Sequence, residues 1–145
     1  MAFAVLSPAA MSDPLRSKSN IRPMILLAED EPIIRRFVET ALKYAGYDVL
    51  AAADGAEALQ LSRSYRGRID LILSDVKMPN LIGPELAATI LQERPGVRVL
   101  LMTGKSSGEI PNAMRRELLR KPFPPKQLLE RIARVLASGG NSTET

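Results

Sequence analysis

Glu29, Asp30 and Asp75 are carboxylates, Thr103 is a hydroxyl and Lys121 an ammonium, and each follows a short run that reads as a strand. Carboxylates gathered at one place repel each other unless a cation joins them. The 145 residues include neither cysteine nor histidine, so only oxygen ligands are available. A hard divalent ion such as Mg²⁺ is the natural guest of such a set. With the metal offsetting repulsion, Asp75 has the chemistry to attack a phosphoryl group as a carboxylate nucleophile. A nearby lysine and hydroxyl would hold the other phosphoryl oxygens. The same absences exclude disulfides, thiolate nucleophiles, Cys-held zinc, Ser-His-Asp catalysis and a phosphohistidine relay within this chain. They fit a reducing compartment, and the cytoplasm is the expected location.

These residues need a scaffold that brings distant positions to one edge. Met24 to Ala28 (MILLA) is apolar on both faces, as a buried parallel strand requires. Pro32 opens a helix where its missing N–H is harmless. Ile33, Ile34, Phe37, Val38, Ala41, Leu42 and Ala45 recur at helical spacing, which predicts that they face the core. Gly46 closes that helix as a left-handed cap. Asp48 to Ala52 reads as a strand and Gly55 to Tyr65 as a helix with Ala58, Leu59 and Leu61 inward. Ile69 to Ser74 is a buried strand ending at Asp75. A helix follows from about Pro84 to Arg94, then a strand from Val97 to Met102 ending at Thr103. Leu118 to Arg120 reads as a short strand, although Leu118 and Leu119 could equally extend a helix. Pro125 to Ala137 is the last helix, with Leu128, Leu129, Ile132, Ala133 and Leu136 inward. Alternating strands and helices imply an α/β fold, a parallel sheet covered on both faces. Ligands of such sheets bind beyond the carboxyl ends of the strands, where the acidic residues and Thr103 fall.

Four segments in order, LLAEDEP (26–32), LILSDVKMPNLIG (71–83), LLMTG (100–104) and LRKPF (119–123), resemble the receiver domain of two-component signalling. The resemblance spans about 24–137. It implies a doubly wound, flavodoxin-like sheet of five parallel strands in the order 2-1-3-4-5. By position it makes Asp75 the phosphoacceptor and Glu29 and Asp30 the acidic pair for Mg²⁺, Asp30 the closer ligand and Glu29 acting mainly through water. The backbone carbonyl of Lys77 completes the protein ligands. Thr103 and Lys121 become the phosphoryl-binding and switch residues, and the bond before Pro122 is expected to be cis. The implied function is a phosphorylatable, stand-alone signalling switch, with at most slow self-dephosphorylation rather than enzyme turnover. A histidine kinase or histidine phosphotransfer protein would donate the phosphoryl group, and a downstream protein would read it. The alternative is a receiver-shaped scaffold or adaptor acting without phosphorylation. A phosphatase with an aspartyl nucleophile would need an acid where Lys77 stands. Read singly, Asp75 could be a helix N-cap, Glu29 and Asp30 caps of the Pro32 helix, and Lys121 a surface lysine. Glu31 and Asp70 are assigned to solvated or capping roles, and Asp54-Gly55 to a turn or cap.

The sequence also departs from this family. Leu118 stands where a switch aromatic is usual. The stretch between Thr103 and Lys121 is a few residues short, which predicts a shortened or degenerate helix between the fourth and fifth strands and loss of the usual dimer face, hence a monomer or weak dimer. Lys77 and Lys105 flank the expected pocket, either as solvated lysines or as residues that set the lifetime of the phosphoryl group. Pro124 offers no side-chain acceptor where the last helix begins.

The remaining sequence excludes several other classes. The formal charge is +4, but the three Phe and three Tyr do not interleave with basic residues, and no Trp is present. Neither a base-stacking platform nor direct DNA binding is expected. No apolar run approaches the ~20 residues that cross a bilayer. The start, MAFAVLSPAA, carries a short apolar stretch without a preceding charge, unlike a signal peptide. Residues 1–23 are expected to be a flexible extension, and 138–145 a disordered tail.

Overall fold

A computed structural model describes residues 22–104 and 118–138. Five strands, β1 (Met24–Ala28), β2 (Asp48–Ala52), β3 (Leu71–Asp75), β4 (Arg98–Thr103) and β5 (Leu118–Arg120), alternate with helices α1 (Pro32–Tyr44), α2 (Gly55–Ser64), α3 (Gly83–Glu93) and α4 (Pro125–Ser138). All neighbouring strands pair in parallel, in the order β2-β1-β3-β4-β5. This is the expected doubly wound sheet. Leu118–Arg120 is a strand, paired to Leu101–Thr103, not a helical extension. The expected short helix between β4 and β5, Lys105, the first 21 residues and 139–145 lie outside the described residues.

Side-chain alternation along each strand supplies two cores. Ile25, Leu27, Leu71, Leu73, Leu100, Met102 and Leu119 point to one face, where Val38 and Leu42 of α1 and Leu128, Ile132 and Val135 of α4 cover them. Leu26, Ala28, Ala52 and Ile72 point to the other, under Ala58 of α2 and Leu86 and Ile90 of α3. Most of these side chains are fully buried. Burial of a Leu or Ile is worth ~1.5–3 kcal/mol each, so both faces contribute to holding the sheet.

Several boundaries and faces differ from the sequence reading. Ile33 is 83% exposed and Phe37 43%, and Ala45 is exposed, so α1 buries a narrower stripe than its apolar periodicity suggested. In α4, Ala133 is exposed and Val135 buried, because the buried stripe runs through Leu128, Ile132 and Val135 at i, i+4 and i+7. Arg22 and Pro23 belong to the fold rather than to an extension: Arg22 Nε donates to the Gly46 carbonyl at 2.9 Å, and the Asp48 amide donates to the Pro23 carbonyl at 2.9 Å. Asp70 is not merely solvated. It accepts from the Met24 amide at 2.8 Å and pairs with Arg68 at 2.7 Å, tying the start of β1 to the approach to β3.

Candidate functional site

The carboxyl ends of β1, β3, β4 and β5 carry the residues singled out above. Ala28 is the last residue of β1 and lies beside Ser74, so Glu29 and Asp30 emerge next to Asp75, the last residue of β3. Glu29, Asp30 and Asp75 each place a carboxylate oxygen within 4.8 Å of the others, which suits one shared cation. All three donors are hard oxygens, the type Mg²⁺ takes. Lys121, one residue past β5, reaches into the same place. Its Nζ lies 2.9 Å from Glu29 Oε1 and 3.1 Å from Asp75 Oδ2. The Lys121-Pro122 peptide is cis, as expected.

The chain holds this arrangement firmly. The Glu29 amide donates to the Ala52 carbonyl at 3.1 Å, and the Lys121 amide to the Thr103 carbonyl at 2.8 Å. Glu29 is fully buried, with its second oxygen accepting from the Glu31 amide at 3.1 Å. Both Glu29 oxygens thus have protein partners. Neither Glu29 nor Asp30 caps α1; Glu31 occupies the cap position and uses no side-chain hydrogen bond. Asp75 is no cap either, since α3 starts after Ile82.

Burial pushes the Glu29 carboxyl above the ordinary range and the charge of Asp75 adds to this, against the opposing Lys121 hydrogen bond. Asp75 is likewise raised, first by burial and then by Asp30, with Lys121 pulling the other way. Burial opposes the charge on Lys121, but its bonds to Glu29 and Asp75 outweigh that and its affinity for a proton rises. One ammonium therefore does not fully neutralise the cluster.

The loop after Asp75 is tightly constrained. The Gly83 amide donates to the Val76 carbonyl at 2.9 Å. A Cβ on Gly83 would sit 2.3 Å from the Asp75 carbonyl oxygen, so only glycine lets α3 start this close to the strand end. Asn80 adopts a left-handed conformation at φ 73° and donates to Asp54 at 2.9 Å. Asp54 also caps α2 through the Glu57 amide at 2.8 Å, as its turn-or-cap reading anticipated. The side chain of Lys77 is exposed in this loop. Thr103 is buried at the end of β4. Leu118 packs against Val76 and Leu101, and its carbonyl accepts from Arg131.

Two contributors were not foreseen. Arg35, on the first turns of α1, donates to the Glu29 carbonyl at 2.9 Å and steadies the acidic loop from behind. Asn80 links the acceptor loop to α2. Neither position carries a sequence signal, because an arginine on a helix and an asparagine in a loop are both ordinary.

Comparison with known proteins agrees with this geometry. The model of the response regulator receiver domain matches residues 25–133. The probable transcriptional regulatory protein TcrX of Mycobacterium tuberculosis is 31% identical over 82% of this chain and 52% of its own length. The sensor kinase CckA of Brucella abortus is 33% identical over 77% of this chain, a match to 12% of the kinase. A receiver domain structure from Clostridium thermocellum superposes with a TM-score of 0.70 at 29% identity, covering 79% of this chain and 94% of that one. The chain spans about half the length of TcrX. It belongs to the receiver domain family of two-component response regulators.

Proposed function

We propose that the protein takes a phosphoryl group onto Asp75, with Mg²⁺, from a histidine kinase or histidine phosphotransfer protein. The observation that carries this is the Lys121 ammonium bridging Glu29 and Asp75 beside the three-carboxylate cluster. Asp30, Asp75 and the Lys77 carbonyl would hold the metal, with Glu29 acting mainly through water. When bound, Mg²⁺ supplies positive charge that lets a carboxylate meet a phosphoryl group. An oxygen of Asp75 forms the new bond to phosphorus as the bond from phosphorus to the donor imidazole nitrogen breaks, and the electron pair leaves with that nitrogen. Lys121 and the Thr103 hydroxyl then hold phosphoryl oxygens. The added charge biases Thr103 and the adjoining backbone, and a protein partner reads the change. Leu118 fills the position where an aromatic switch is usual, so the signal travels without that ring. Lys77 and Lys105 would set how long the phosphoryl group survives.

In this reading the protein is a switch rather than an enzyme, and acts in the cytoplasm without binding DNA itself. Among the described residues no helix is long and apolar enough to cross a membrane. The test is transfer from a phosphorylated histidine kinase in Mg²⁺ and in EDTA. Label is expected on the parent chain in Mg²⁺ alone. Equal labelling of Asp75→Asn would contradict the proposal.

A further inference from the structure

The segment that joins β2 to α2 touches both loops that carry the carboxylate cluster. At its start, the Ala52 carbonyl accepts from the Glu29 amide. Further along, Asp54 reaches the loop that follows Asp75. Its Oδ1 accepts from the Glu57 amide at 2.8 Å, which is all that capping α2 requires. Its Oδ2 accepts from Asn80 Nδ2 at 2.9 Å. The Glu57 amide first, and Asn80 second, hold the Asp54 carboxyl below its ordinary range, so the acceptor stays charged at neutral pH. Backbone packing adds to the bond. A Cβ on Gly55 would lie 2.1 Å from the Leu81 carbonyl oxygen, so glycine is what lets the loop come this close to the start of α2.

Lys77 therefore lies between fixed points. On one side, the Val76 amide donates to the Met102 carbonyl and the Val76 carbonyl accepts from the Gly83 amide, both at 2.9 Å. On the other, Met78 is buried in the core under α2 and α3, and Asn80 and Leu81 meet Asp54 and Gly55. Asn80 sits at φ 73°, a left-handed conformation that asparagine tolerates better than most residues. Its bond to Asp54 is exposed, so it adds little to global stability and its effect is local. We propose that Asp54 and Asn80 are positioning residues for the cation: their bond restricts the loop that presents the Lys77 carbonyl, so that ligand is in place before a metal arrives. This role rests on the metal reading of the site proposed above. Ordering a ligand in advance removes an entropic cost from binding. Groups that orient a ligand change metal affinity by ~10–100-fold. Met78 still anchors the loop when the bond is lost, so the low end of that range is expected.

The test is an Mg²⁺ titration of unphosphorylated, full-length protein at constant ionic strength, followed by NMR at the Asp30, Asp75 and Val76 amides. Asn80→Gly removes the side-chain donor and leaves the left-handed backbone accessible. Its Kd for Mg²⁺ should rise ~10-fold. Asp54→Asn combined with Asn80→Asp reverses the direction of the bond at unchanged net charge, and the side chain at position 54 keeps an oxygen for the Glu57 amide. This exchange should return Kd close to the parent value. Arg94→Met loosens the far end of α2 and should leave Kd unchanged, which separates positioning from loss of stability. A parent-like Kd in Asn80→Gly, an exchange that fails to recover affinity, or an equal loss in Arg94→Met would overturn the proposal while the metal reading stands. No Mg²⁺ binding by the parent would refute the metal reading and this role with it.

Discussion

Replacing Lys121 by Met keeps the aliphatic stem but removes the ammonium that touches both Glu29 and Asp75. Three carboxylates then share one place with oxygens no more than 4.8 Å apart. At that distance and an effective dielectric of ~20, each charged pair repels by about 3.5 kcal/mol. The variant can escape by protonating one carboxyl. Starting from an ordinary glutamate, that costs ~3.5 kcal/mol at pH 7 but only ~1 kcal/mol at pH 5. The expected destabilisation is therefore ~3 kcal/mol near pH 7, falling to ~1 kcal/mol near pH 5. The direction follows from the raised carboxyls. Protonation of a group whose folded pKa lies above its unfolded one stabilises at low pH, and that contribution is lost as pH rises through the folded value. Millimolar Mg²⁺ should recover much of the loss at neutral pH by replacing the missing cation. Urea titrations of both proteins at the two pH values, with and without Mg²⁺, measure this. A loss independent of pH and unaffected by Mg²⁺ would mean that Lys121 acts by packing alone, and would refute the electrostatic reasoning.

Other substitutions have equally definite outcomes. Asp75→Asn should raise the melting temperature at neutral pH without Mg²⁺, because it removes a carboxylate whose pKa burial has raised; the advantage should vanish near pH 4, and calorimetry at both values checks it. Gly83→Ala drives a Cβ against the Asp75 carbonyl and should destabilise by roughly 1–3 kcal/mol in urea, with slower phosphorylation as the strand end shifts. Arg94→Met removes donors to the Ser62 hydroxyl and to the carbonyls of Ser62, Tyr65 and Gly67 at the end of α2. It should lower stability by ~2–3 kcal/mol while leaving the initial phosphorylation rate of the folded protein unchanged.

The buried strands were legible in the sequence for a physical reason, while the roles given to the residues at their ends came from the resemblance to receiver domains. A strand buried on both faces is a continuous apolar run, and the polar residue that ends it marks the sheet edge. MILLA before Glu29 and LILS before Asp75 are such cases. The same apolar pattern misled on α1. Periodicity counts every apolar residue near the core stripe, and cannot tell that Ile33 and Phe37 face away from the sheet. In α4 the reading took Ala133 and left out Val135, although Leu128, Ile132 and Val135 make the i, i+4, i+7 stripe that is buried. The capping alternatives for Glu29 and Asp30 could be settled only by hydrogen-bond geometry. Contacts that depend on chain trajectory, such as Arg35 to the Glu29 carbonyl and Asn80 to Asp54, leave no local pattern.

The central claim is that Asp75 accepts a phosphoryl group. Incubation with acetyl phosphate and Mg²⁺, followed by intact mass measurement, tests it most directly. One phosphoryl group should be gained, and either EDTA or Asp75→Asn should abolish the gain. No gain by the parent protein, or an equal gain by Asp75→Asn, would contradict the account.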